Sequence, residues 1–516
     1  MATKTERRGR RARYDQAQSG VVPAQPAVWP GVEGGRFRPL STAEEAEVDE
    51  TVLTLLERLG LSQATDSMVE KVTVAGGRLT ADGRLLFPRE LVLSTIAGAR
   101  RDIVLYGQRP GLELDLSGAR VHMSSGGGAP GVFDLETGDY RDGTARDLYD
   151  AARLVDAMEH IHHFSRSIVA RDARDNLELD INTAYACLAG TSKHVSVSVT
   201  EPQNVTEIAD LCYTVAGTEA AFRTRPFLTV MVCHVVPPMR FAEEACETLE
   251  AAIRAGFPVQ IISAGQAGAT SPATIAGSLV QAVAETLAGL VFARLVDPNV
   301  AAIFAPKPLV ADLRTGAMCG GGGEQAILMA AAAQMGRYYG LPTSSIAGIT
   351  DAKLADAQHG AEKTLAVSLA AHAGSNLVTQ ACGMQASLLG VSLEAYVADN
   401  DMLGNILRTV RGVEVSAENM AADVIAEVCR GEGHYLGHAQ TLARMKSDYV
   451  YPALGDRRPP RDWQADGATD MLTRARAHAK ELLATHYPMH LADETDRALR
   501  RRFEPLLSRA DIGRKP

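Results

Sequence analysis

Aromatic residues are scarce in this chain: Phe, Trp and Tyr together make up 5% of its 516 residues. Any aromatic pocket therefore competes with the core for the same few rings. Excess positive charge is also missing. A formal net charge of −10 and an isoelectric point near 5.8 exclude a protein whose main task is coating nucleic acid. There is no disulfide framework. The seven cysteines (Cys187, Cys212, Cys233, Cys246, Cys319, Cys382, Cys429) are odd in number, scattered and set mostly in apolar runs, the pattern of reduced, buried thiols in a cytoplasmic protein. No secretory-type apolar stretch follows Met1. The longest small-apolar run, around Thr274 to Leu290, is interrupted by Gln281 and Glu285 and reads as a buried helix rather than a membrane span. Neither a G-x-S-x-G elbow nor a C-x-x-C pair occurs, so serine or thiol nucleophile chemistry is not signalled.

Hydrophobic residues at 46% and charged residues at 22% leave ample material for a core. Residues 1–39, with five arginines before Tyr14, read as a flexible basic arm. Residues 40–118 read as a small α+β unit. In it "STAEEAEVDETVLTLLERLG" offers Ser41 and Thr42 as N-caps and an apolar stripe through Val48, Val52, Leu55 and Leu59, while "VTVAGGRLTADGRLLFP" reads as short strands with tight turns. Over residues 119–400, eight apolar runs alternate with helical patterns: "RVHMSSGGG", "HHFSRSIVARD", "HVSVSVT", "FLTVMVCHVV", "PVQIISAGQAG", "VAAIFAP", "SSIAGITDAK" and "NLVTQACGM". Eight β/α steps in about 280 residues match a TIM (β/α)8 barrel. A doubly wound sheet is the competing α/β arrangement, because period alone does not show closure. Residues 401–516 read as a helical C-terminal extension that wraps the barrel or builds an oligomer contact.

In a barrel the C-terminal strand ends build the active site. Two glycine-rich loops fall there: "SSGGGAPG" with Gly126, Gly127 and Gly128, and "RTGAMCGGGGEQA" with Gly320, Gly321, Gly322 and Gly323. Neither matches a P-loop or a dinucleotide fingerprint. His122 and His234 are expected to face the mouth. His160, His162 and His163 have a spacing that could ligate zinc, but they open a strand at the stability end, and no metal site is expected. Thr350 and Asp351 stand at the tip of the seventh strand, where Asp351 reads either as a site carboxylate or as a helix cap; Asp356 reads as a cap.

Four segments together resemble the trimethylamine methyltransferase family: "GGGAPGVFDLETGDYRDGT", "LRTGAMCGGGGEQAILMAAAAQMGRYYGLP", "GITDAKLADAQHGAEKTL" and "GHYLGHAQTLARM". The resemblance runs from about residue 36 to 500. It implies a TIM barrel and transfer of a methyl group from a methylamine or quaternary amine to the Co(I) corrinoid of a separate small protein. The two glycine-rich loops would then face that corrinoid. The founding branch carries pyrrolysine close to the segment matching Gly348-Ile349-Thr350. Only standard residues stand there in this chain, which makes it similar to the non-pyrrolysine branch typified by glycine betaine methyltransferase. A quaternary ammonium already carries its charge and leaves as a neutral amine, so desolvation and alignment suffice.

The expected donor is therefore a quaternary amine, glycine betaine first, with trimethylamine, proline betaine, carnitine or choline as alternatives. A barrel that only binds a betaine or a corrinoid protein is the alternative of another class. The candidate catalytic residues are Gly348, Ile349, Thr350 and Asp351. Phe133, Phe164, Phe304 and Tyr396 are candidate cage faces for the ammonium. Arg166, Arg171 and Lys307 are candidate donors to a substrate carboxylate. The expected setting is a cytoplasmic homo-oligomer working with a cognate corrinoid protein, with no nucleic-acid or membrane partner.

Overall fold

The computed structural model describes residues 26–515, so the arginine-rich start of the expected N-terminal arm lies outside the described residues, while its described end is fixed rather than flexible, Val32–Glu33 pairing antiparallel with Arg120–Met123. Eight short strands form the centre: β1 (Arg120–Met123), β2 (His163–Ser165), β3 (His194–Val197), β4 (Leu228–Cys233), β5 (Val259–Ser263), β6 (Ala302–Pro306), β7 (Ser344–Ile346) and β8 (Leu377–Thr379). Strands β2 to β6 pair in parallel in chain order, and β7 pairs β8 likewise. Single parallel bridges, Ser124 to His163 and Phe304 to Thr343, join β1 to β2 and β6 to β7. Pairing of β8 with β1, Leu377 opposite His122, closes the ring. Closure rules out the doubly wound alternative and leaves no sheet edge to protect.

A helix follows each strand: α1 (Ala145–Ala157), α2 (Asn176–Gly190), α3 (Asn204–Ala216), α4 (Glu243–Arg254), α5 (Ile275–Val296), α6 (Gly323–Tyr338), α7 (Ala357–His372) and α8 (Leu393–Arg411). Helix α5 is predominantly apolar, with Gln281 and Glu285 as buried polar exceptions. It is long and apolar enough to cross a membrane, yet 83% of its most hydrophobic window is buried inside the protein, where the helix Thr42–Arg58 also packs on it.

That helix opens with a capping box: the Ser41 hydroxyl accepts from Glu44 N at 3.3 Å and the Glu44 carboxylate accepts from Ser41 N at 2.7 Å. Its buried face runs through Val48, Val52, Leu53 and Leu56, while Leu59, expected in the stripe, is exposed. The "VTV" read as strand closes the helix Asp66–Val74 instead, because Thr65 caps that helix and its apolar Met68 and Val72 lie one turn apart. A hairpin of Val104–Leu105 and Leu114–Asp115 plugs the barrel bottom, where Ile103, Leu105, Leu114 and Leu116 cluster with Ile303 and Leu377.

At the opposite end three loops carry extra strands. Gly131–Phe133 with Tyr140–Asp142 follows β1, Leu309–Ala311 with Met318–Cys319 follows β6, and Met384–Gln385 with Gly390–Ser392 follows β8. The C-terminal helices Met471–Thr485 and Asp493–Phe503 pack on α8 and α3. Arg153, only 1% exposed, ties this extension down by donating to the carbonyls of Leu483 and His486.

Candidate active site

Hydrogen bonds between strands that are not neighbours identify the side chains that point into the barrel. Gln260 Nε2 on β5 donates to Ser196 Oγ on β3 at 3.3 Å, skipping β4. Ser165 Oγ on β2 reaches Met231 Sδ on β4 at 3.2 Å, skipping β3. Lys307 Nζ, just past β6, donates to Thr379 Oγ1 on β8 at 3.4 Å, skipping β7, and to Gln260 Oε1 at 3.4 Å. His163 completes the layer, its Nδ1 2.6 Å from Ser124 Oγ and its Nε2 2.8 Å from Ser196 Oγ. Below it His194 Nε2 lies 2.8 Å from Thr229 Oγ1. The lumen is thus a belt of hydroxyl, amide and imidazole groups with one ammonium. Above the belt Met231 and Ile262 are partly exposed and Cys233 is open to the mouth.

Burial sets the charge of this belt. The rings of His163 and His194 are held below the usual histidine range by desolvation, His163 well below and His194 to about 4. Burial also lowers the Lys307 ammonium to about 8, against a weak contribution from Cys233 in the opposite sense. At neutral pH the lumen carries one positive charge. Among the described residues no group of three or more His, Cys, Asp or Glu could hold a metal ion.

The mouth is built by the tip of β7. Asp351 Oδ1 accepts from Gly320 N at 2.7 Å and from Ser387 Oγ at 2.5 Å, and its Oδ2 accepts from Cys319 Sγ at 3.1 Å. Burial alone would raise this carboxyl, but the donors from Ser387, Gly320 and Cys319 outweigh it and hold the group below its ordinary range. Thr350 Oγ1 donates to Glu362 Oε2 at 2.5 Å, and Asp351 N donates to the same oxygen at 2.9 Å. Ile349 packs under Gly320, and Gly348 lies so close to the backbone of Gln380 and Ala381 that no side chain fits. The tip therefore clamps the second glycine-rich loop to the turn at Ala386, Ser387 and Leu388, and offers no free reactive group. That turn is left-handed over all three residues, with φ of 51°, 53° and 73°. The first loop lies over the polar belt: a Cβ on Gly126 would sit 3.0 Å from Gln380 Nε2 and 3.2 Å from Ser165 Oγ.

Several expected site residues stand elsewhere. His122 is in the lumen but at its bottom, with Nε2 2.9 Å from Asp115 O of the plug, not at the mouth. His234 packs outward against α5, where Nε2 lies 2.9 Å from Glu285 O and Nδ1 lies 3.1 Å from Ile262 O, so the ring is held against backbone away from the mouth. None of the four cage candidates faces the lumen. Phe164 alternates with the inward His163 and Ser165, and Phe304 stacks edge-on against Tyr339 at 6.0 Å outside the barrel. Tyr396 donates to Ser167 Oγ at 2.6 Å from α8, and Phe133 pairs with Tyr140 in the surface hairpin at 5.5 Å. Arg171 pairs with Asp142 at 3.6 Å outside the lumen. Arg166 lies under Gly128 on the α2 side, its Nε without a partner and its guanidinium lowered by burial. Asp356 is the expected cap of α7, accepting from Gln358 N at 2.9 Å. Lys307 alone of the candidate carboxylate donors lies in the lumen. His163, expected at the stability end, stands in the lumen belt instead; Ser165, Gln260, Met231 and Thr379 were not singled out by sequence, although alternation along each strand from a known inward residue would have found them.

The family model for trimethylamine methyltransferase (MTTB) matches residues 6–504. Trimethylamine methyltransferase MttB of Desulfitobacterium hafniense is 29% identical over 472 residues, covering 91% of this chain and 94% of its own length. A glycine betaine methyltransferase of the same species is 27% identical over 467 residues, covering 90% and 96%. Trimethylamine methyltransferase MttB of Methanosarcina barkeri is 31% identical over 404 residues, covering 77% and 81%. Among solved structures, the monomethylamine methyltransferase MtmB of Methanosarcina barkeri covers 91% of this chain and 96% of its own at 12% identity, with a TM-score of 0.48.

Proposed function

We propose, from the premise that the chain belongs to the trimethylamine methyltransferase family and is a methyltransferase, that it takes a methyl group from a quaternary amine, glycine betaine before others, for the corrinoid of a separate protein. The observation that carries this reading is the tip of β7. Gly348, Ile349, Thr350 and Asp351 hold no side chain free to activate a tertiary amine, since Thr350 is engaged by Glu362 and Asp351 by Gly320 and Ser387. A quaternary ammonium needs no such activation. Its methyl–nitrogen bond breaks with the electron pair staying on nitrogen, and a neutral tertiary amine leaves. A Co(I) corrinoid supplies the electron pair that forms the new bond to the methyl carbon.

The rim suits such an acceptor approaching from outside. The loops at Gly126, Gly127 and Gly128 and at Gly320, Gly321, Gly322 and Gly323 present backbone, and Leu313, Leu354 and Leu389 expose apolar side chains in the loops after β6, β7 and β8. Within the lumen this chain's residues desolvate the substrate and orient it so that one methyl points to the mouth. No aromatic cage is needed for that. The walls above the belt, at Met231 and Ile262, are neutral and polarizable and avoid stabilising a positive charge that the reaction removes.

In this reading residues 119–400 are the catalytic barrel, residues 40–118 and 401–516 are additions to it, and the protein acts in the cytoplasm. Homo-oligomer formation is supported by apolar side chains left uncovered between residues 413 and 451, Val413 and Leu436 each 85% exposed. The test mixes purified protein with Co(I) cobalamin or a corrinoid protein and follows the loss of Co(I) absorbance. Glycine betaine is expected to drive that loss and trimethylamine not to. Faster loss with trimethylamine overturns the substrate assignment, and betaine binding with no loss for any amine leaves a binding barrel.

A further inference from the structure

We propose that Lys307 is the residue that selects the substrate: its ammonium, at the floor of the mouth, takes the carboxylate of a zwitterionic quaternary amine and so turns the ammonium end outward. The proposal rests on the methyl-transfer reading above and adds to it the residue that decides among quaternary amines.

Three lysines of the described chain are buried: Lys193, Lys307 and Lys363. Two are fully served. Lys193 Nζ donates to the carbonyls of Val155, Met158 and Ile161 at 2.6, 2.5 and 2.6 Å, closing the C-terminal end of α1. Lys363 Nζ meets Asp399 Oδ2 at 2.8 Å. Lys307, 4% exposed, has only the two neutral oxygens of Gln260 and Thr379, each at 3.4 Å, and no carboxylate within ion-pairing distance among the described residues. Burying an ammonium without a counter-charge is costly, and two long hydrogen bonds to neutral oxygens offset only part of it. An anion that arrives with the ligand would.

The surroundings leave Lys307 unopposed. The titratable groups that face it are His163 from β2, kept neutral by burial, and Cys233 from β4, whose thiol burial pushes up. A substrate whose only charge is positive meets a like charge here, which disfavours choline or a trimethylammonium ion. A zwitterion meets an opposite charge at one end. The lumen is plugged below by the hairpin at Val104–Leu105, so the methyl acceptor can approach only from the mouth. Carboxylate down at Lys307 therefore means ammonium up, beside Met231 and Ile262. The Gln260 amide and the Thr379 hydroxyl, already within reach of Nζ, can donate to the same carboxylate. Because burial lowers Lys307 to about 8, its hold on an anion fades as the pH rises through that value.

The experiment is titration calorimetry on the full-length protein with glycine betaine, proline betaine and carnitine, and with choline and tetramethylammonium as carboxylate-free probes. At least one carboxylated probe is expected to bind at least tenfold more tightly than both carboxylate-free ones. Lys307→Gln, checked for folding by circular dichroism, is expected to weaken that binding at least tenfold and to leave choline unchanged or tighter. Lys307→Arg, which keeps the charge, should retain the preference in part. Should Lys307→Gln fail to fold, the wild-type protein alone decides: affinity for the carboxylated probe should fall several-fold between pH 7 and 9, while any choline binding should not. Unchanged carboxylated-probe affinity in folded Lys307→Gln, or a flat pH profile, overturns the proposal. Lys307-dependent binding without Co(I) consumption would uphold Lys307 as the anchor and overturn the transfer reading instead.

Discussion

The carboxylate of Asp351 collects donors from two separate segments, the loop at Cys319 and Gly320 and the turn at Ser387, and so holds two walls of the mouth in register. Each hydrogen bond to a charged acceptor is worth about 1.5–3 kcal/mol, and the glycines it holds have no side chains of their own to anchor them. Asp351→Ala is therefore expected to raise amide hydrogen exchange at Gly320 and Gly321 at least tenfold and to lower kcat/KM for Co(I) consumption, with little effect on the barrel strands. Asp351→Asn should fall between. Exchange at those amides unchanged in Asp351→Ala would show that the loop is held by something else. Thr350 belongs to the same clamp through Glu362. Its neighbours Gly348 and Ile349 are packing residues at a close approach of two strand ends, which sequence alone cannot distinguish from reactive positions.

The glycine loops and the turn after β8 are the least regular elements, and the turn is the more strained. Ala386, Ser387 and Leu388 all adopt left-handed backbone, which costs an L-residue about 1–2 kcal/mol each. They persist because Ala386 N donates to Ala352 O at 2.8 Å and Ser387 N to Thr350 O at 2.9 Å, so the tip of β7 dictates their path. Ala386→Gly should remove strain without touching the Ser387 bond to Asp351. A gain of about 0.5–1 kcal/mol in urea unfolding is expected. A loss would mean that the backbone there is relaxed. The glycine runs were legible as mouth loops because runs of glycine after apolar strands have few other uses. The left-handed turn was not, since "ASLL" carries none of the Gly, Asn or Asp that mark such backbone.

For the whole molecule, the buried unit that joins α7, α8 and the loop after β8 contributes to stability in a way that depends on acid. Asp399 accepts from His359 at 2.7 Å, from Lys363 at 2.8 Å and from Gly383 N at 2.9 Å. Burial pushes this carboxyl up, but Lys363 and His359 outweigh it and bring the group to about 2, below its ordinary 3.8. A depressed carboxylate contributes stability that is complete above the unfolded value and is lost as the pH falls through the folded one. The contribution, about 2 kcal/mol, is therefore present above about pH 4 and disappears toward pH 2. Asp399→Asn is expected to lower stability at pH 7 by at least that amount, since Lys363 is left buried without its counter-charge, and to flatten the dependence between pH 4 and 2. An acid limb in Asp399→Asn as steep as in the wild type would assign the acid sensitivity to other carboxylates.

Local pattern was enough to determine the sequence of elements. Eight continuous apolar runs separated by amphipathic stretches place β1 to β8 within the segments that form them, because strand and helix periodicity are properties of neighbouring residues. The capping box at Ser41 and the cap at Asp356 are local in the same sense. Closure, and with it the inward or outward sense of every side chain, was decided only by tertiary structure. Along a strand the side chains alternate, so a shift of one residue sends His234 to α5 instead of the mouth and Phe164 to the outer layer, while bringing His163 and Gln260 inward. Whether a buried lysine is capped by carbonyls like Lys193, paired like Lys363 or left waiting like Lys307 depends on groups that lie tens of residues apart in the chain and meet only when the barrel closes.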